Sequence, residues 1–187
     1  MLLLRRADLV ATRGTAWVSR AIRVCTRSRG EPPTVVNHVG IITVAGPLNS
    51  AQLTEAIAHV VERGLFDAYH GRDQVAVFRC KALTDIERDV AAEKARSYIG
   101  RDYGYVKIAA HLFDYGLSRL FHRDTYLARR LARMDKSPMC SWLDEHAFAV
   151  VRRFFGVPFG TAEPDDLWDY VTAHPDEWEC VLPLSQL

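Results

Sequence analysis

The chain reads as an α+β domain, on two observations. Short runs with strand character recur at residues 8–12, 35–44, 74–81 and 178–182. Between them lie segments with apolar residues at helical spacing, which do not alternate one for one with the strands. Short strands clustered around mixed helices give an α+β arrangement. The 187 residues suffice for one domain with a real core, and the whole chain, 1–187, is read as that single domain.

Taken in order, Asp8-Leu9-Val10-Ala11-Thr12 is a strand that Gly14 breaks. Trp17, Val18, Ala21, Ile22, Val24 and Cys25 then recur at helical spacing across 15–27, and Gly30-Glu31-Pro32-Pro33 is a turn. Residues 35–44 are a β-rich run bounded by Gly46-Pro47. Residues 50–61 fit two patterns. Ser50 can cap a helix with Leu53, Ala56, Ile57, Val60 and Val61 on one face. Leu53, Glu55, Ile57, His59 and Val61 can equally alternate along a strand. Residues 74–81 are a strand. Thr84-Asp85-Ile86-Glu87 is a capping box opening a helix that stops at Gly100. An apolar helix over 106–121 and a basic one over 123–134 follow. A helix from Cys140 to about residue 155 stops at Gly156. Pro164-Asp165-Asp166 starts another, with proline and acids in its first turn. Residues 178–182 close the chain as a strand.

Bulk composition narrows the function classes. Net charge is +1, so nothing global argues for nucleic acid or an anionic membrane as partner. Arginines crowd the first thirty residues, and Arg123, Arg129, Arg130 and Arg133 form a second group. Both groups read as solvated helix faces. Cys25, Cys80, Cys140 and Cys180 show no CxxC spacing, so neither a zinc site nor any other metal or cofactor is expected. Four cysteines are sparse for a disulfide scaffold, and they read as reduced thiols with one of them functional. Met1-Leu2-Leu3-Leu4 is too short for a signal-peptide core, and no run reaches membrane-spanning length. The expectation is a cytoplasmic chain with no integral membrane segment.

The stretch that carries chemistry is Ser137-Pro138-Met139-Cys140-Ser141-Trp142-Leu143. A proline-bearing turn runs into an apolar-periodic segment, which puts Cys140 at a helix start. Unpaired N–H groups and the helix dipole stabilise a thiolate there. Upstream, Val35-Val36-Asn37-His38-Val39-Gly40-Ile41 sets His38 in a strand. A cysteine on a helix start and a histidine on a strand are the two halves of a nucleophilic site. A small buried cysteine and a hydrogen-bonded core histidine are the commoner occupants of such places. The remaining histidines have no partner pattern, and no serine sits in a GxSxG context.

Set in order, the pieces are Ala7-Asp8-Leu9-Val10, Asn37-His38-Val39-Gly40-Ile41, Thr54-Glu55-Ala56-Ile57, Tyr98-Ile99-Gly100-Arg101-Asp102-Tyr103-Gly104-Tyr105, and Met139-Cys140-Ser141-Trp142-Leu143. This order resembles the NlpC/p60 superfamily of papain-like cysteine hydrolases in its circularly permuted branch (YiiX/YaeF-like), where the histidine comes first and the cysteine helix last. The resemblance runs in patches from Asp8 to Ala149. Ala7 stands where the family usually has glycine, and Trp142 and Asp144-Glu145 replace more typical residues after the Cys-Ser pair. The resemblance implies a papain-like fold, with a small antiparallel sheet or half-barrel packed on the cysteine helix and a helical insertion over about 106–136. It implies Cys140 as nucleophile, His38 as base and Glu55 as the residue that orients the imidazole, which makes 50–61 a strand. It also matches Tyr103 to a tyrosine beside the oxyanion pocket, a place that a core aromatic would fill equally well.

The activity implied is hydrolysis of an amide, in a peptide or a cell-wall-type isopeptide, through an acyl-enzyme. Partners would be peptide-like or lipid-like small substrates. The permuted branch also includes lipid acyltransferases of the lecithin–retinol acyltransferase type, which makes ester hydrolysis or acyl transfer the second expectation. Their Asn-Cys-Glu-His-Phe signature is not matched by Met139-Cys140-Ser141-Trp142-Leu143. A binding protein on a decayed hydrolase fold is the third.

Overall fold

The computed structural model describes residues 2–14, 34–102 and 139–187. Its strands are β1 (Leu3–Leu4), β2 (Asp8–Arg13), β3 (His38–Val44), β4 (Gly46–Pro47), β5 (Gln52–Ala56), β6 (Val60–Gly64), β7 (Gln74–Cys80) and β8 (Trp178–Gln186). Its helices are α1 (Leu65–Tyr69), α2 (Asp85–Arg96), α3 (Cys140–Ala149) and α4 (Pro164–Ala173). The expected helices over 15–27, 106–121 and 123–134, the insertion as a whole, Tyr103 and Cys25 lie outside the described residues.

The strands β6-β5-β3-β2-β7-β8 form one antiparallel sheet in that order, and β1 pairs with β4 in a separate ribbon. The mixed α+β class with antiparallel pairing is therefore what the molecule has. Residues 50–61 are no helix. They begin the β5–β6 hairpin, in which Glu55 lies opposite Val61 and Leu53 opposite Arg63.

Period-two alternation gives the sheet two apolar faces. Leu9, Val39, Ile41 and Phe78 face a helical layer that contributes Ala91 and Ala95 of α2, Leu143, Ala147 and Phe148 of α3, and Leu167 and Val171 of α4. On the other face Val10, Ile42, Leu53 and Val77 meet Leu4, Leu65 and Tyr69. Burial on both sides explains why β2 and β3 read as nearly unbroken apolar runs. Among the described residues, no helix is long and apolar enough to cross a membrane.

The capping box forms as expected. Thr84 accepts from the Glu87 N–H, and the Thr84 N–H donates to the Glu87 carboxylate at 2.8 Å. Several ends differ from the sequence expectation: α2 stops at Arg96 rather than at Gly100, and β3 starts at His38 rather than at 35. The cysteine helix stops at Ala149, short of residue 155, because Arg152 adopts the left-handed conformation (φ 57°). The Arg152 N–H then bonds the Ala149 carbonyl and the Arg153 N–H the Phe148 carbonyl, a Schellman closure without the usual glycine. The turn folds Phe155 back edge-on to Phe148, ring centres 5.5 Å apart. Strand β8 runs past 182 to Gln186 despite Pro183. It is an edge strand, where a missing N–H can face away from the ladder.

Ala7 has φ 60° and is fully buried, a backbone state that favours glycine. The turn it makes delivers Asp8 to the start of β2. Asp8 is fully buried and accepts from the Arg5 N–H at 2.8 Å and from two nitrogens of Arg79 at 2.8 and 2.6 Å.

Phe148 is fully buried between Phe155 and Trp178. Phe148→Ala should lower unfolding free energy by about 3–5 kcal/mol in urea titration, from lost transfer energy plus a residual cavity. A loss below about 1 kcal/mol would show that the helix–sheet core is not packed as described.

Candidate active site

Cys140 is the first residue of α3, after Met139 in extended conformation with no side-chain cap. Leu143, Ala147 and Phe148 hold that helix on the sheet. His38 is the first residue of β3, and Glu55 sits on the neighbouring β5. The helix start and the strand start therefore meet at one end of the layered core.

His38 is bonded on both sides. Its Nε2 lies 2.6 Å from the Glu55 Oε2, and its other neighbour is Cys140, near enough to act on its ionisation. With Nε2 committed to the carboxylate, Nδ1 is the nitrogen left for sulfur. The structure thus brings Cys140, His38 and Glu55 together.

Gly40 explains how Glu55 reaches the ring. The register of β3 on β5 places Gly40 beside Glu55, two residues from His38 on the same strand face. A Cβ at Gly40 would lie 3.1 Å from the Glu55 Cβ. Without it, the Glu55 side chain passes over the Gly40 backbone to the imidazole.

Glu55 is fully buried and accepts more than one bond. Oε2 also takes the Tyr69 hydroxyl, and Oε1 takes the Arg63 Nε. The Arg63 guanidinium carbon stands 5.5 Å from the centre of the Tyr69 ring. Arg63 and Tyr69 were not singled out from the sequence. The available signal was an opposite charge eight residues beyond Glu55, diagonal to it across a hairpin. It is readable only once 50–61 is known to be strand.

These contacts shift the ionisation of all three groups. Burial raises the Cys140 thiol, but the His38 imidazolium and the N–H groups of Val39 and Ser141 outweigh it and hold the thiol below its ordinary value. Burial pulls His38 down, yet the Cys140 thiolate and then the Glu55 carboxylate raise it to about 10. Glu55 would also be raised by burial. His38 and Arg63 instead lower it to about 2. The shifts of Cys140, His38 and Glu55 all favour a thiolate–imidazolium pair backed by a carboxylate.

One turn beyond Cys140, Asp144 is fully buried, and among the described residues neither carboxyl oxygen has a hydrogen-bond partner. Burial first, and the Cys140 thiolate second, push it well above the usual carboxylate range, towards its neutral form. Among the described residues, no three His, Cys, Asp or Glu are grouped to hold a metal ion. Cys80 and Cys180 are free thiols away from the site, one in the core and one exposed. No family model matches the chain, and a search of the curated proteins finds no match.

Gly40→Ala should break the approach of Glu55. The added methyl would meet the Thr54 carbonyl oxygen at 3.2 Å, a backbone atom of the paired strand that cannot swing away. The variant should lose about 1–3 kcal/mol in urea unfolding, and the pH profile of Cys140 alkylation should move up. An unmoved profile would show that the His38–Glu55 contact does not need the open position.

Proposed function

We propose that the protein is a cysteine hydrolase that cleaves an amide through an acyl-enzyme. The observation that carries the reading is the Cys140–His38–Glu55 array, with the His38 Nε2 2.6 Å from Glu55 and the sulfur at a helix start. The order of histidine strand, carboxylate strand and cysteine helix supports assignment to the permuted NlpC/p60 branch. So does the left-handed backbone at Ala7, where that family usually has glycine.

In the first half-reaction the Cys140 thiolate attacks the substrate carbonyl carbon. A C–S bond forms and the carbonyl electron pair moves to oxygen. The backbone N–H of Cys140, at the helix start, is a natural donor to that oxyanion. The tetrahedral species then collapses and the C–N bond breaks. The His38 imidazolium gives its proton to the departing amine. In the second half-reaction neutral His38 takes a proton from water. The hydroxide attacks the thioester, the C–S bond breaks, and the acid leaves with thiolate and imidazolium restored. An amine is a poor leaving group unless protonated. A protonated His38 supplies that proton, and it becomes a stronger acid once the Cys140 thiolate that raises it is consumed by attack.

Cys140→Ala should abolish turnover, with a loss on the order of 10⁴-fold or more, while urea unfolding remains cooperative. A thiol-directed acylating probe should label Cys140 and spare Cys80 and Cys180. Labelling confined to the other cysteines would remove the enzyme reading. The rate should follow a bell in pH. It rises as Cys140 loses its proton, below the free thiol value of about 8.5. It falls as His38 loses its own near pH 10. In the pH profile of Cys140 alkylation, which needs no turnover, His38→Ala should carry the acid limb up towards the free thiol value. An identical limb in wild type and variant would show that the two residues are not paired.

A further inference from the structure

We infer that Arg63 is a positioning residue of this site: its guanidinium balances the charge of the Glu55 carboxylate beside His38, and that makes the thiolate–imidazolium pair the resting state of Cys140 and His38. The inference rests on the Cys140–His38 reading above and extends it to a residue that touches neither.

The geometry is a row of alternating charge. Cys140 of α3 meets His38 of β3. His38 meets Glu55 of β5, and Glu55 Oε1 takes the Arg63 Nε from β6. Glu55 has no exposure, His38 side-chain exposure is 16%, and Arg63 reaches out at 36%. Among the described residues, Tyr69 and Asp144 also face the row. Tyr69 of α1 donates its hydroxyl to Glu55, and burial pushes the Asp144 carboxyl of α3 towards its neutral form. Glu62, next to Arg63 on β6, is taken up elsewhere, by the Thr43 hydroxyl at 2.8 Å and by Arg96 at 2.9 Å.

With Arg63 present, thiolate and carboxylate balance imidazolium and guanidinium. Without Arg63 the site would carry one uncompensated negative charge where burial penalises it. A proton must then enter. It goes to the stronger base, and a thiolate is far more basic than a carboxylate. Cys140 would take it, although Arg63 never contacts sulfur. Tyr69 can fix the direction of Glu55 but cannot supply the charge.

The test is the pH profile of Cys140 alkylation by iodoacetamide, assigned to Cys140 by peptide mass. It needs no substrate. Arg63→Gln should move the acid limb up by about one pH unit or more. Arg63→Lys, which keeps the charge, should restore most of that shift. A residue that only braced the hairpin would lower stability and leave the limb in place, so an Arg63→Gln profile superimposable on wild type overturns the inference. If Arg63→Gln does not fold, Glu55→Gln is compared with Glu55→Gln/Arg63→Gln, which buries no unpaired carboxylate. The double variant should have the higher limb, and coincident limbs overturn the inference. A wild-type limb already at the free thiol value of about 8.5 is a different result. It would remove the thiolate–imidazolium reading itself, and this inference with it.

Discussion

The structure depends on one buried carboxylate. Glu55 is removed from solvent and is answered by His38, Arg63 and Tyr69. A carboxylate in such a place is strongly unfavourable unless charge and hydrogen bonds compensate it. Here the compensation is shared out. Tyr69 comes from the helix after the hairpin, Arg63 from the hairpin's second strand, and His38 from the next strand inward. Removing any one partner leaves the others compensating a charge they do not fully balance. Folding of this corner and the ionisation of Cys140 are therefore linked through the same atom pairs.

The rest of the fold serves that corner by presenting backbone at fixed places. Both faces of the sheet are apolar and packed, so a one-residue slip would exchange the two sets of core side chains and break the packing on both sides. That constraint keeps Gly40 beside Glu55. Asp8 plays a comparable part at the far end of β2. It is buried and held by Arg79 in a forked contact, with Arg88 of α2 at 3.6 Å. It ties the strand to the helix that packs on α3. Asp144 is the contrasting case, a buried carboxyl with no hydrogen-bond partner among the described residues, which burial pushes towards its neutral form.

Cys140 and His38 were legible in the chain as single residues in the right local settings, a helix start after a proline turn and the edge of an apolar run. Glu55 was reached only through family resemblance. The pattern over 50–61 fits helix and strand alike, and the sheet decides between them by offering β3 as a partner. Arg63 and Tyr69 were not legible, because they matter only through a hairpin and a short helix that no local signal announced. The early end of α3 was missed for a similar reason. Arg152 fills a position that usually takes glycine, so Gly156 carried the stop signal while a non-glycine residue made the turn. The capping box at Thr84 was legible in full, since all of its atoms lie within four residues.

The protonation state of His38 is the most direct measurement of the central claim. Nitrogen NMR of the ring in wild-type protein reads both positions at once. A thiolate–imidazolium pair backed by Glu55 requires both ring nitrogens protonated at pH 7, and the ring losing a proton only near pH 10. A His38 ring that is neutral at pH 7 and titrates close to the ordinary value of about 6.5 would contradict it.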